Sequence, residues 1–331
     1  MSILELILLG SVLLLIVYYV LNNREVIKLI RKNDSTMVSF RNVNSNTLLN
    51  KYMFKNDNKM NKSSKKKIFI HIPTERNERN WSSFGSRSST DMNMDIAMLC
   101  IESTIRHLEN DADIILYSNN DIKDIIQESN TEDLCNLNNT ASISGKDLKQ
   151  WESYCKAKIL QKYGGIVIEP CFFFINKPSN DILFPSSLTI NNEPNEGLNV
   201  SEKKWIPTTC NWISAPKKDQ NLELYIKYMN YMCVHRYTED TKYFDKTFEK
   251  LYSLNSIQPK KMGCMDLNGN PVYTADLISN KNIEFENSMF CLFINLSHMK
   301  KYRKNEWFLK LDKEEIMKSN TFIGKFITEY S

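Results

Sequence analysis

The sequence predicts an α/β fold, a mixed sheet with helices on both faces, preceded by one transmembrane helix. Between residues 67 and 168, short apolar runs alternate with longer segments of helical periodicity. This alternation is typical of a sheet that is covered by helices. A separate apolar stretch at residues 3–21 is long enough to cross a bilayer as a helix.

The N-terminal stretch, ILELILLGSVLLLIVYYVL, carries Glu5 as its one charge. A cleaved signal peptide would need a basic segment before it and a small-residue cleavage site after it, and neither is present. We therefore predict an uncleaved anchor over residues 1–23, with the lipid bilayer as its partner. Basic residues follow the span closely and none precedes it, which predicts a single-pass protein with its C-terminal domain on the cytosolic side.

Residues 24–66 are rich in Asn, Lys and Ser, and they predict a juxtamembrane tether that is partly disordered. The folded domain is then residues 67–331. The net charge is only +4, and the longest lysine run covers residues 65–67, so we predict no nucleic-acid partner. The eight cysteines show no CxxC spacing, and several lie in apolar runs, which predicts buried free thiols.

Strands and helices of the folded domain are predicted from apolar runs, helical periodicity and Gly or Pro breaks. The predicted strands lie at residues 67–72, 112–117, 166–168 and 289–296, with a strand end and turn at 212–216 and a turn and short strand within 271–277. The predicted helices lie at residues 90–109, 122–127, 145–163 and 222–233. The tail from residue 300 carries no clear pattern.

Residues 156–171 read KAKILQKYGGIVIEPC, a helix ending in Tyr-Gly-Gly, then a buried strand with Glu169 at its tip. This segment resembles the central signature of DXD-type sugar transferases, the capsular-polysaccharide or mannosyltransferase-like group. The resemblance implies a GT-A-like (Rossmann-like) domain. Residues 81–107 and 211–229 agree loosely with the same group, and the chain is also similar to uncharacterised anchored proteins of large DNA viruses.

The resemblance implies a nucleotide-sugar donor, a glycan acceptor, and Mn²⁺ or Mg²⁺ held by the DXD carboxylates. The first DXD carboxylate falls on Glu169, which we predict as the metal ligand. The second falls on Cys171, and a thiol is a poor ligand for a hard cation. An Asp and an Arg of the preceding helix fall on Ser153 and Lys156, where lysine keeps the charge but loses the bidentate fork.

Two interpretations therefore stay open. In one, the domain transfers sugar with Glu169 as its lone metal ligand, helped by Asp121 or another carboxylate brought in by folding. In the other, the fold is retained and catalysis is lost, and the protein has a structural or scaffolding role at a membrane or in a virion.

Further candidates for the donor site lie along the same half of the chain. His71 ends the first strand, where the resemblance places the nucleotide pocket, although a histidine there is more often simply hydrogen-bonded. Arg87 lies in a polar loop that either contacts a phosphate or is only solvated. Lys156 would meet the donor phosphates. Gly164 and Gly165 allow the sharp turn that aims the next strand at the donor.

Overall fold

A computed structural model of the full chain describes residues 51–55, 65–72, 95–126, 146–196, 204–234, 245, 247–249, 252, 254–302 and 304–331. The predicted anchor and the loop that contains Arg87 lie outside these ranges. Within them, no helix combines the length and the apolar character that crossing a membrane requires.

The described residues form eight strands and nine α-helices. The strands are β1 (Lys66–His71), β2 (Ala112–Tyr117), β3 (Gly165–Ile168), β4 (Phe172–Phe174), β5 (Thr189–Pro194), β6 (Trp205–Ala215), β7 (Asn255–Ile257) and β8 (Cys291–Phe293). The helices are α1 (Asp95–Leu108), α2 (Ile122–Ile126), α3 (Lys146–Tyr163), α4 (Asn180–Leu183), α5 (Gln220–Val234), α6 (Thr274–Leu277), α7 (Leu296–Lys301), α8 (Lys313–Lys318) and α9 (Phe322–Tyr330).

Six strands form one mixed sheet in the order β2-β1-β3-β6-β5-β7. Strand β1 lies between β2 and β3 and runs parallel to both. Strand β6 is antiparallel to β3 and to β5, and β7 is parallel to β5. Strands β4 and β8 form a separate antiparallel pair.

Helices cover both faces of the sheet. Successive side chains of a strand point to opposite sides, so each face of the sheet has its own set of buried residues. On one face, Phe69 and Val167 belong to a buried cluster with α2, α3 and α5. Their neighbours Ile68 and Ile166 are also buried but lie outside that cluster. On that opposite side, α1 packs against β2 and β4. The predicted mixed α/β sheet with helices on both faces is therefore confirmed at this level.

The double glycine makes the turn from α3 into β3, as predicted. Gly164 has a φ of +67° and Gly165 a φ of +101°, both in the region that glycine tolerates best. The backbone N–H of Gly164 donates to Leu160 O at 2.7 Å and closes the helix. A Cβ on Gly165 would lie 2.2 Å from the carbonyl oxygen of Lys67. Only glycine therefore lets β3 lie this close to β1.

One part of the sequence prediction needs correction. The short strand expected within residues 271–277 is wrong, because Thr274–Leu277 form helix α6 and only Pro271 makes an isolated bridge. Glu196 accepts hydrogen bonds from the Thr274 N–H and hydroxyl at the start of that helix. Within the predicted tether, Phe54 N donates to Leu116 O at 2.8 Å, so this piece pairs with the edge strand β2.

The prediction of buried free thiols is confirmed where the structure describes them. Five described cysteines are buried and one is partly exposed, and none forms a disulfide: Cys100, Cys155, Cys171, Cys210, Cys264 and Cys291.

Candidate functional site

The candidate site lies where the parallel strands β1, β2 and β3 end. From β1 the chain continues to β2 on one side, whereas from β3 it continues toward β5 and β6 on the other. The connections therefore change direction between β1 and β3. In open α/β sheets, ligands bind outside the carboxyl ends of the strands at such a switch point. His71 and Glu169 stand at this position, at the ends of β1 and β3.

Glu169 is held by two basic side chains. Its Oε1 lies 2.8 Å from Nδ1 of His71 and also accepts a hydrogen bond from the ammonium of Lys156. Lys156 donates a further hydrogen bond to the carbonyl of Cys210 in β6. Lys156 reaches this point because it lies on α3, which packs against β6. The side chains of His71 and Lys156 are 2% and 4% exposed, and that of Glu169 is 17% exposed.

The contacts continue to a second carboxylate. Nε2 of His71 lies 2.7 Å from Oδ1 of Asn119, and the amide of Asn119 donates to Glu152 at 3.0 Å. Both ring nitrogens of His71 thus face an oxygen, and a doubly protonated ring satisfies both contacts. We refer to His71, Asn119, Glu152, Lys156 and Glu169 as the strand-end ion cluster.

The contacts hold Glu169, Lys156 and His71 in their charged forms. Burial by itself would raise the pKa of Glu169, but the charges and hydrogen bonds of Lys156 and His71 outweigh it and lower the pKa to about 2. Burial by itself would lower the pKa of Lys156, but Glu169 and Glu152 raise it. The pKa of His71 is also raised, since the attraction of Glu169 overcomes the effect of burial. The charges therefore compensate one another inside the protein.

The residues present do not fit a divalent cation at this position. The carboxylate of Glu169 already contacts two basic groups. Cys171 is buried, and burial followed by the charge of Glu169 raises the pKa of its thiol well above the usual range. Asp121 accepts hydrogen bonds from the N–H and hydroxyl of Ser118 instead, both at 2.8 Å. Among the described residues, no three His, Cys, Asp or Glu side chains are arranged to hold a metal ion.

The predicted site residues thus fall into two groups. The fold brings His71, Lys156 and Glu169 together. Gly164 and Gly165 lie at the opposite end of β3 from Glu169, so they shape the backbone and do not approach the cluster. Asp121 lies in the turn after β2, and Arg87 lies outside the described residues.

A second polar network surrounds Asp245. Its carboxylate accepts hydrogen bonds from the Thr209 N–H at 2.7 Å and from the Tyr225 hydroxyl at 2.9 Å. The hydroxyl of Thr209 in turn reaches that of Ser153 at 3.4 Å. Complete burial raises the pKa of Asp245 to about 6 in spite of these hydrogen bonds. A carboxyl group is therefore present near Ser153, although it comes from a distant part of the sequence.

Sequence reasoning missed three polar groups around the site. Glu152 lies four residues before Lys156, so both occupy one face of α3, and this spacing was a usable signal. Asn119 follows β2 closely, and the carboxyl end of a parallel strand was again a usable signal. Asp245 carried no signal, since nothing in its local sequence connects it with Thr209.

No protein-family model matches the chain, and no curated protein matches it. The fold and the cluster define a mixed α/β domain with an internally neutralised set of charges at its switch point.

Proposed function

We propose that this chain is a membrane-anchored protein with a glycosyltransferase-like domain that has lost metal-dependent sugar transfer and acts as a binding or scaffolding module. The contact of Glu169 with Lys156 and His71 carries the proposal. The Tyr-Gly-Gly turn, the parallel strands around it and the helices on both faces support the GT-A-like part of it.

The loss of metal-dependent transfer follows from charge. A divalent cation assists sugar transfer by neutralising the diphosphate leaving group, and hard cations bind through carboxylate oxygens. Here the carboxylate at the tip of β3 is already neutralised by the ammonium of Lys156. A cation at Glu169 would lie beside that ammonium, whose raised pKa keeps it charged. The repulsion would oppose metal binding where the family resemblance requires it.

The test uses the full-length chain and measures its melting temperature with UDP- and GDP-sugars, in Mn²⁺ and in EDTA. A donor that binds the folded chain raises the melting temperature. We expect no Mn²⁺-dependent rise, and no hydrolysis of any donor in a parallel assay. A Mn²⁺-dependent rise, or donor turnover that Glu169→Gln abolishes, would show that the metal-dependent activity is retained.

A second candidate function is sugar transfer without a divalent cation. The position of Lys156 and His71 at the switch point favours it, because two basic groups stand where α/β sheets bind their ligands. The same experiment separates the two functions. Stabilisation by a donor in EDTA, together with slow hydrolysis that Lys156→Met removes, would support cation-independent transfer over the scaffolding module.

A further inference from the structure

A groove on the C-terminal part of the domain shares no residue with the strand-end ion cluster. It has a volume of 680 Å³ and lies between helix α9 and the segment from Asn280 to Met289. A second cavity of 610 Å³ adjoins it, and Lys281, Asn282 and Ile283 line both. Each volume is within the range of small-molecule sites. The three shared residues make the two cavities direct neighbours.

The walls of the groove are fixed by the fold. Lys325 of α9 donates to the side chain of Asn280, and Phe322 N donates to Ser279 O at 2.7 Å. Below them, Phe285 packs on the rings of Phe322 and Phe326, with centroids 5.8 and 6.3 Å away. The groove is therefore present before any ligand arrives, which lowers the entropic cost of binding.

Each cavity has an exposed aromatic ring. Tyr330 is 39% exposed and lines the first cavity, and Tyr273 is 36% exposed and lines the second. Asn282 and Asn287 are exposed beside them, and neither side chain has a hydrogen-bond partner within the described residues. An amide both donates and accepts hydrogen bonds, and a flat ring offers an apolar face. A pyranose presents the matching groups, hydroxyls at its rim and C–H bonds on its faces.

The charges of the groove disfavour anionic ligands. Five carboxylates and two lysines line the two cavities, and Lys281 is already paired with Asp276. A nucleic acid or another polyanion would meet mostly repulsion. A peptide anchors through apolar side chains in apolar pockets, and most of the exposed lining here is polar. We infer that the groove binds a neutral oligosaccharide, with Tyr330 and Tyr273 stacking on its sugar rings.

Calorimetric titration of the full-length chain, kept in a detergent without a sugar headgroup, tests the inference. The probes are maltohexaose, cellohexaose and chitohexaose, with a heparin fragment and an unstructured peptide for comparison. We expect at least one neutral probe to bind. Tyr330→Ala should weaken it about tenfold, since a stacked ring contributes that order of affinity. Asn282→Ala should weaken it without changing the melting temperature, because that side chain is exposed and has no hydrogen-bond partner among the described residues.

Tyr231→Ala is the matched control, since Tyr231 is 52% exposed but lies on α5. It should leave binding unchanged. The inference is overturned if no neutral probe binds, if the heparin fragment or the peptide binds more tightly, or if Tyr330→Ala and Tyr231→Ala have equal effects. Glu169→Gln should not alter oligosaccharide affinity, because the groove and the strand-end ion cluster are separate sites. The absence of oligosaccharide binding would therefore not bear on the proposed function.

Discussion

Removing Lys156 should destabilise the protein strongly, because Glu169 would keep its charge and lose its nearest partner. The folded chain lowers the pKa of Glu169 from 4.5 to about 2. At about 1.4 kcal/mol for each tenfold change in proton affinity, this corresponds to ~3 kcal/mol. Breaking a buried ion pair by deleting one partner costs about 3–5 kcal/mol in other proteins. Because His71 contributes to this shift and remains in place, we expect Lys156→Met to cost up to about 3 kcal/mol of unfolding free energy at pH 7.

A double-mutant cycle separates this effect from lost packing. In Lys156→Met/Glu169→Gln the unpaired charge is gone, so the double variant should be more stable than Lys156→Met alone. The measurement is equilibrium unfolding of the full-length chain in urea, followed by tryptophan fluorescence. Lys318→Met is the matched control. Lys318 pairs with Glu314 at 3.0 Å, but both side chains are more than 75% exposed, so its loss should cost less than about 0.5 kcal/mol.

Two results would refute this account of the cluster. A cost below about 1 kcal/mol for Lys156→Met would mean that water or His71 replaces the ammonium without penalty. Strictly additive single-variant costs would mean that Lys156 and Glu169 are not coupled.

Three further predictions concern titration and backbone packing. Because the folded pKa of Glu169 is depressed to about 2, its contribution to stability should be complete above pH 4.5 and disappear as the pH falls toward 2, and Glu169→Gln should flatten this dependence in pH-resolved urea titrations. The folded pKa of Asp245 is raised from 3.8 to about 6. Its protonated form is therefore favoured by folding, and stability should fall as the pH rises from 3.8 to about 6 and level off above it, a slope that Asp245→Asn should remove. Gly165→Ala should prevent folding or lower the melting temperature severely, because its Cβ would meet Lys67 O at 2.2 Å. Gly269→Ala, also at positive φ but with nothing within 4 Å, should cost only about 1 kcal/mol.

The first half of the domain could be predicted because its signals are local. Strands β1 and β2 are buried apolar runs, and α3 ends at a glycine pair whose conformation the structure confirms. Strand β5 was missed for a physical reason. Its sequence, TINNEP, is polar, and yet Asn191 and Glu193 are buried. Asn191 accepts a hydrogen bond from the Trp212 N–H of β6, and Glu193 accepts one from the side-chain amide of Asn211. Hydrophobic periodicity cannot detect a strand whose buried positions are polar.

Three members of the strand-end ion cluster could be predicted, but not their partners. His71, Lys156 and Glu169 are each recognisable from strand ends and from the Tyr-Gly-Gly segment. His71 and Glu169 are 98 residues apart in sequence, and their contact depends on β1 lying next to β3. The predictions that Glu169 binds a metal and that Lys156 contacts a phosphate assumed that each side chain faces a ligand. The structure pairs them with one another, and this pairing is a property of the sheet order.

Cys171 stands where the DXD-type transferases that this segment resembles carry a second aspartate, and placing an aspartate there should not create a metal site. Cys171 is 3% exposed, and burial together with the charge of Glu169 raises the pKa of its thiol well above the usual range. An aspartate here would be a second buried carboxyl beside Glu169, and burial with like charge favours its neutral form. Cys171→Asp should therefore lower the melting temperature and give no response to Mn²⁺. Cys264→Asp, at an equally buried cysteine, controls for the cost of burial alone. If Mn²⁺ raises the melting temperature of Cys171→Asp but not of Cys264→Asp, then Glu169 is free to bind metal. Its pairing with Lys156 would then not be what excludes the cation.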